Sequence, residues 1–237
     1  MITRLDHVVI GVHDLDNAIQ EYQQLGFEVR PGGRHTGLGT HNALIRFGLD
    51  YLELLAIYDE AEARRAGGPG QFMIEYLRGR PAALLGFALA SDRLEDEAAF
   101  AAGQPFAMQR ERPDGRVLSW RLLVPGDHTW RRPWPFLIQW DTPDEQRLAW
   151  DGGGRHSNGA HGVAGLRVAA RDVAAVLGIY RDQLGLGVTS SGVSLPNCPI
   201  EVVPSEDEDE GLVEVQLRVD SVAATRRTLT AGLVFVE

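Results

Sequence analysis

One pattern occurs four times along the chain: an apolar strand, a turn carrying Asp, an amphipathic helix, then Gly and another strand. An internal repeat constrains the fold more than any single motif, because each copy is a unit that must bury its apolar face against another. The copies run from Leu5 to Val29, Leu84 to Phe106, Val163 to Val188 and Val213 to Val236. Apolar residues three and four apart mark the helices: Leu15, Ala18, Ile19 and Tyr22 in the first copy, Val173, Val176, Leu177 and Tyr180 in the third. Asp14, Asp92, Asp172 and Asp220 fall where a helix begins, where a short carboxylate can accept bonds from free backbone N–H groups. Gly26, Gly103, Gly185 and Gly232 fall where a left-handed residue ends one. These Asp and Gly residues read as structural, not catalytic.

Strand-rich stretches follow the helices. In the first copy they are GFEVRPGG, HNALIRFG and DYLELLAI, with Gly48-Leu49-Asp50 as a hairpin turn. In the second they are FAMQRERP, RVLSWRLLVP and PFLIQWD, and in the third VTSSG, VSLP and PIEVVPS. The unit is β-α-β-β-β, and the fold class is α+β. Residues 1–141 hold two units, at about 4–58 and 84–141. Residues 142–160, with DGGGRHSNGA, read as a Gly-rich linker. A third unit spans about 161–204, and a fourth, at about 212–237, stops after one helix and one further strand. Residues 59–70 (DEAEARRAGGPG) read as a polar loop and 206–210 (EDEDE) as a solvated acidic loop.

The chain has 237 residues, 44% of them hydrophobic, which is enough for a substantial core. The formal net charge is −10, so the surface repels phosphate backbones and anionic lipid, and neither nucleic acid nor membrane is an expected partner. A single cysteine, Cys198, excludes an intramolecular disulfide framework. The N-terminus lacks the long apolar region of a secretion signal, and no run is long enough to span a bilayer. A cytoplasmic location is expected.

A βαβββ unit opening with L-D-H-V-V-I and carrying a Glu on its last strand resembles the vicinal-oxygen-chelate superfamily. More narrowly, LDHVVIGVHDLDNAI, PGGRHTGLGTHNALIRFG, DYLELLAI, RPDGRVLSWRL, PFLIQWD and HSNGAHGV resemble a bacterial glyoxalase-like family along nearly the whole chain. The resemblance implies paired modules whose curved, mixed or antiparallel sheets form a cavity, with helices outside. It does not imply one reaction, since the fold hosts several activities and a binding function.

Superfamily enzymes usually bind one divalent metal through a residue on the first strand and one on the last strand of each of two modules. Carried onto this chain, the first module supplies His7 and Glu53. An imidazole and a carboxylate suit zinc, iron, manganese or nickel. Strand alternation puts Leu5, His7 and Val9 on one face and Tyr51, Glu53 and Leu55 on another, so a curved sheet could bring His7 and Glu53 together. The second module departs from the pattern. Gly86 falls opposite His7, and Gln139 is placed near Glu53 as a weaker third ligand. In the third module Gly165 and Glu201 take these places.

The stretch GGRHTGLGTHN, residues 32–42, holds four glycines, two histidines and an arginine. It is not a phosphate loop of the P-loop kind, because no Gly-Lys-Ser/Thr ends it and a strand follows. It is either a solvated hairpin or a loop that brings Arg34, His35 and Asn42 to a substrate, and the resemblance favours the second. His156 and Asn158 cap the cavity or fix the module junction. Trp120, Trp130, Trp134, Trp140 and Trp150 serve packing or substrate stacking, with Trp140 assigned to the substrate.

Together these residues point to a metal-assisted isomerase or lyase acting on a small oxygenated metabolite. His7, Glu53 and Gln139 would hold the metal, and His35 and Glu53 would move the proton. Two other functions fit the same residues: metal-free binding of an apolar or aromatic ligand, and a non-catalytic module that forms a homodimer through an edge strand.

Overall fold

The computed structural model describes residues 1–97, 103–112, 114–126, 129–196, 198–205, 209–220 and 232–236. The first unit is β1 (Ile2–Val12), α1 (Leu15–Gln24), β2 (Arg30–His35), β3 (Thr40–Arg46) and β4 (Tyr51–Ile57). Helix α1 starts where Asp14 accepts a hydrogen bond from the Asn17 N–H at 3.0 Å, and it buries Leu15, Ala18 and Tyr22. Gly26 follows it with a φ of +87°. The repeat's Asp and Gly therefore act here as helix punctuation.

Where a polar loop was expected over residues 59–70, two helices form, α2 (Glu60–Ala66) and α3 (Gly68–Tyr76). The polarity of α2 is that of a solvated helix. Asp59 accepts from the Glu62 N–H at 2.8 Å, and the Glu60 carboxylate pairs with Arg64 one turn on. The second unit holds β5 (Ala82–Ser91), a 3₁₀ turn at Leu94–Glu97, β6 (Phe106–Glu111), β7 (Val117–Leu123) and β8 (Phe136–Trp140). The rest of its expected helix lies outside the described residues. The Gly-rich linker contains another helix, α4 (Asp144–Asp151).

The third unit is β9 (Ala160–Ala170), α5 (Val173–Gly178) with a π turn at Ile179–Gln183, β10 (Gly187–Val188), β11 (Gly192–Ser194) and β12 (Ile200–Pro204). Asp172 caps α5 through the Ala175 N–H at 2.9 Å. The fourth holds β13 (Gly211–Val219) and β14 (Leu233–Val236); its expected helix lies outside the described residues, as do 206–208 of the acidic loop.

The first two units close into an eight-stranded barrel in the order β1-β4-β3-β2-β6-β7-β8-β5. Two antiparallel seams join the units, β1 to β5 and β2 to β6. Closure leaves no free edge and gives the barrel an inside and an outside. The other units form an open six-stranded sheet, β10-β11-β12-β9-β13-β14. Here β13 pairs antiparallel with β9, as β5 does with β1. In the full units the strand after the helix lies far from the first strand. In the fourth unit β14 instead runs parallel beside β13, the place β8 takes beside β5.

The two sheets are not separate bodies. One apolar cluster runs from the outer side of the barrel (Leu5, Val8, Ile10, Phe87) through α1 to the open sheet (Leu166, Val168, Val215, Leu217). The Tyr180 hydroxyl, fully buried, donates to the Pro133 carbonyl at 2.9 Å and ties the third unit to the second.

Among the described residues, two pairs form the second seam, Arg34 with Glu111 and His35 with Arg110. Gly33 makes the approach possible: its φ is +139°, and a Cβ there would fall on the Glu111 carbonyl oxygen. Gly33→Ala is therefore expected to destabilise the protein by more than about 2 kcal/mol. Gly37→Ala, also at positive φ but with no atom near the added Cβ, is expected to cost only about 1 kcal/mol. Chemical denaturation of the two variants against the parent checks the difference.

Candidate active site in the barrel cavity

The barrel encloses a cavity of about 320 Å³. Val9, Leu55, Met73, Met108, Leu122 and Ile138 line it together with Trp120, Trp130 and Trp140. The α2–α3 segment covers one end, where the Trp130 indole N–H donates to the Pro69 carbonyl at 2.9 Å. The polar groups of the cavity gather on the strands of the first unit.

His7 and Glu53 meet as strand alternation predicts, from neighbouring parallel strands. Val9 lies beside Glu53 in the register, His7 Nε2 lies 3.5 Å from Glu53 Oε2, and the His7 ring stacks on Tyr51 with centroids 4.8 Å apart. The alternation fails one step earlier. Leu5 pairs with Leu89 and His7 with Ala88, so Asp6 is an extra, bulged residue. Leu5 therefore packs in the outer core, while His7 turns inward.

The bulge places Asp6 beneath His7. Its Oδ1 lies 2.8 Å from His7 Nδ1, and its Oδ2 accepts from Arg4 Nη1 at 2.8 Å and from Trp140 Nε1 at 3.0 Å. Helix α4 adds Arg147, 3.6 Å from Oδ2 and stacked over the Trp140 ring at 3.8 Å. Burial opposes ionisation of Asp6, but the His7 bond and the Arg147 and Arg4 charges outweigh it and hold the carboxyl far below the usual carboxylate range. The Asp6 bond at Nδ1 fixes the His7 ring so that Nε2 faces Glu53.

On the other side of Glu53, Asn42 donates from Nδ2 to Oε1 at 2.5 Å, and its Oδ1 accepts from Arg110 Nη1 at 3.0 Å. His35 Nε2 lies 3.7 Å from Glu53 Oε1, and its Nδ1 is held by Thr40 Oγ1 at 2.9 Å. Burial pulls the His35 imidazole down to about 4; Glu53 opposes this and Arg110 reinforces it. His35 is thus neutral at physiological pH.

Four expected residues lie elsewhere. Arg34 is exposed and stacks on the Tyr58 ring at 4.6 Å. Gln139 sits on the face of β8 away from the cavity, where its Oε1 accepts from the Leu94 N–H at 3.1 Å and Arg121 Nη2 at 2.8 Å. His156 accepts from the Glu28 N–H at 3.0 Å and bonds the Arg46 carbonyl at 3.0 Å. Asn158 donates to the Leu25 carbonyl at 2.9 Å. The last two thus bond the backbone of the first unit from the linker. Trp140 does line the cavity, with its N–H turned to Asp6. Asp6, Tyr51, Thr40 and Arg110 were not anticipated. Asp6 had one visible signal, its place inside L-D-H, but alternation assigns it to the wrong face.

The sequence model of the glyoxalase-like domain matches residues 5–184. The chain belongs to that family. The narrower resemblance, to a glyoxalase-like family, is the one this match bears out. No curated protein sequence matches it. Among solved structures, a hypothetical protein from Staphylococcus aureus is 16% identical, with 98% of this chain and 97% of that one covered and a TM-score of 0.75. A xylose isomerase-like TIM barrel/4-hydroxyphenylpyruvate dioxygenase fusion protein is 12% identical, with 94% of this chain and 38% of that one covered and a TM-score of 0.54. At these identities both show the fold alone.

The resemblance to the vicinal-oxygen-chelate superfamily implies a divalent metal held by donors from both units of the barrel. The bulge at Leu85 in β5 matches the bulge at Asp6 in β1, which makes Gly86 the counterpart of His7. Ala88, two residues on, lies beside Phe136, as Val9 lies beside Glu53, so Phe136 is the counterpart of Glu53. Neither glycine nor phenylalanine offers a donor, and Gln139 points away. Among the described residues no group of three or more His, Cys, Asp and Glu could hold a metal ion. The residues present do not fit the paired-module metal set. No helix among the described residues is long and apolar enough to cross a membrane.

The burial of His35 sets a pH dependence. An unfolded His takes up its proton near its ordinary value of 6.5, and the folded one near 4, so acidification through that window favours the unfolded chain. His35→Gln removes this contribution, on the order of 3 kcal/mol by pH 4, leaving those of His41 and His156, whose values burial also lowers. Denaturation midpoints of parent and variant should converge or cross as pH falls from 7 to about 4.

Proposed function

We propose that the glyoxalase-like barrel is an enzyme of isomerase or lyase type, moving a proton at a carbon beside an oxygen-bearing group of a small metabolite. The observation that carries this is Glu53, a buried carboxylate in an apolar cavity, braced by Asn42 and faced by two ring nitrogens. A buried carboxylate that ends in a cavity rather than in an ion pair is placed to act on what enters it. Glu53 takes the proton. His35, kept neutral, turns Nε2 to the same place and can donate to an oxygen as negative charge develops on it. His7, held from behind by Asp6, steadies the other Glu53 oxygen.

The metal-assisted form of this chemistry needs donors from the second unit. Gly86 and Phe136 supply none, so the proposal assigns the proton transfer to side chains. A second reading, metal-free sequestration of an aromatic or apolar ligand, is favoured by the three tryptophans in the cavity wall.

Exchange of C–H for C–D in heavy water, followed by NMR over a panel of small carbonyl compounds and carboxylic acids, separates these readings. The parent should exchange at least one compound, Glu53→Gln should lower that rate by about 100-fold or more while staying folded, and chelator should leave it unchanged. Binding without exchange anywhere in the panel would favour sequestration. Exchange lost with chelator and restored by a divalent metal would overturn the assignment to side chains alone.

A further inference from the structure

Among the described residues, the guanidinium of Arg110 lines the cavity without forming an ion pair. Arg110 is buried, yet its one hydrogen bond among the described residues goes from Nη1 to the neutral Asn42 amide, and its Nε has no partner. The other two buried arginines differ: Arg147 faces Asp6 and Asp144, and Arg46 faces Asp151. Burial pulls the Arg110 value down from the ordinary arginine range, and Tyr51 and Glu53 oppose that electrostatically without a hydrogen bond to it. A desolvated, unpaired charge is costly, and a bound anion removes the cost.

The surroundings keep this guanidinium at the cavity wall. Gly32 has no side chain, and a Cβ there would come within 2.7 Å of Arg110 Nη1. The seam that pairs His35 with Arg110 brings it to the level of the catalytic groups. Around it the cavity is apolar and aromatic, with Glu53 as the nearby negative group. One anionic head is compensated there. A second would lie among Met, Leu and Trp side chains with nothing to pair with.

We infer that Arg110 is a substrate-binding residue that selects a monoanion with an apolar body, a monocarboxylate in the first instance. The inference deepens the proposed proton transfer and rests on the same cavity. Asn42 bonds to both Arg110 and Glu53, so a carboxylate head on Arg110 lies beside the group that takes the proton.

The test is binding without turnover. Calorimetry and tryptophan quenching would compare hexanoate, hexanol, hexylamine and adipate on the parent protein. Hexanoate is expected to bind about tenfold or more tightly than each of the others. Arg110→Met should abolish the preference for hexanoate over hexanol and leave hexanol affinity within about twofold. Arg110→Lys, which keeps the charge, should retain a preference, so the inference stays testable if the Met variant does not fold. Equal binding of the four probes, binding of none, or a preference that survives in Arg110→Met overturns the inference. The same series on Glu53→Gln keeps the two proposals apart. A head-group preference with no C–H exchange anywhere removes the proposed chemistry and leaves the anion site. Exchange on neutral compounds with no preference does the reverse.

Discussion

The buried carboxylate of Asp6 is the interaction on which the rest of the barrel depends. A charge with no exposure to water persists only where several donors surround it. Asp6 collects them from three parts of the chain: Arg4 and His7 on β1, Trp140 at the end of β8, and Arg147 on the helix of the linker. The first unit, the second unit and the linker are thereby fastened at one atom group. The same bond that neutralises Asp6 also orients His7. Stability and site geometry share one cause here.

The two units of the barrel divide the work unequally. The first supplies His7, His35, Asn42 and Glu53. The second supplies Arg110 and most of the aromatic wall. Its positions matching His7 and Glu53 are a glycine and a phenylalanine, and Phe136 packs edge-on against the His7 ring with centroids 5.5 Å apart. The symmetric frame thus carries an asymmetric site, with polar chemistry on one half and apolar surface on the other.

Much of this was legible in the sequence, and what was not has physical reasons. The repeat gives the units, their order and the helix boundaries set by Asp14, Asp172, Gly26 and Gly185, because capping and periodicity are local effects. The approach of His7 to Glu53 follows from alternation on neighbouring strands. Asp6 was hidden because a bulge shifts the alternation by one residue, and bulges are fixed by pairing with a distant strand. Arg110 was hidden because its neighbours, His35 and Asn42, meet it only across the second seam. Gln139 was misplaced because the register of β8 is set by β5, and the register puts Phe136 beside Ala88. Helices α2 and α4 were hidden by their polarity, which suits a solvated helix as well as a loop.

The two ends of the barrel are not alike. Asp6, Trp140 and Arg147 plug one end, where β8 finishes. At the other end, where β6 begins, Phe106 is exposed and α3 lies across the opening with Pro69 and Met73 turned to the cavity. The plug is ionic and anchored at both sides; the cover is apolar. A ligand lying between the two ends would therefore meet charge on one side and apolar surface on the other.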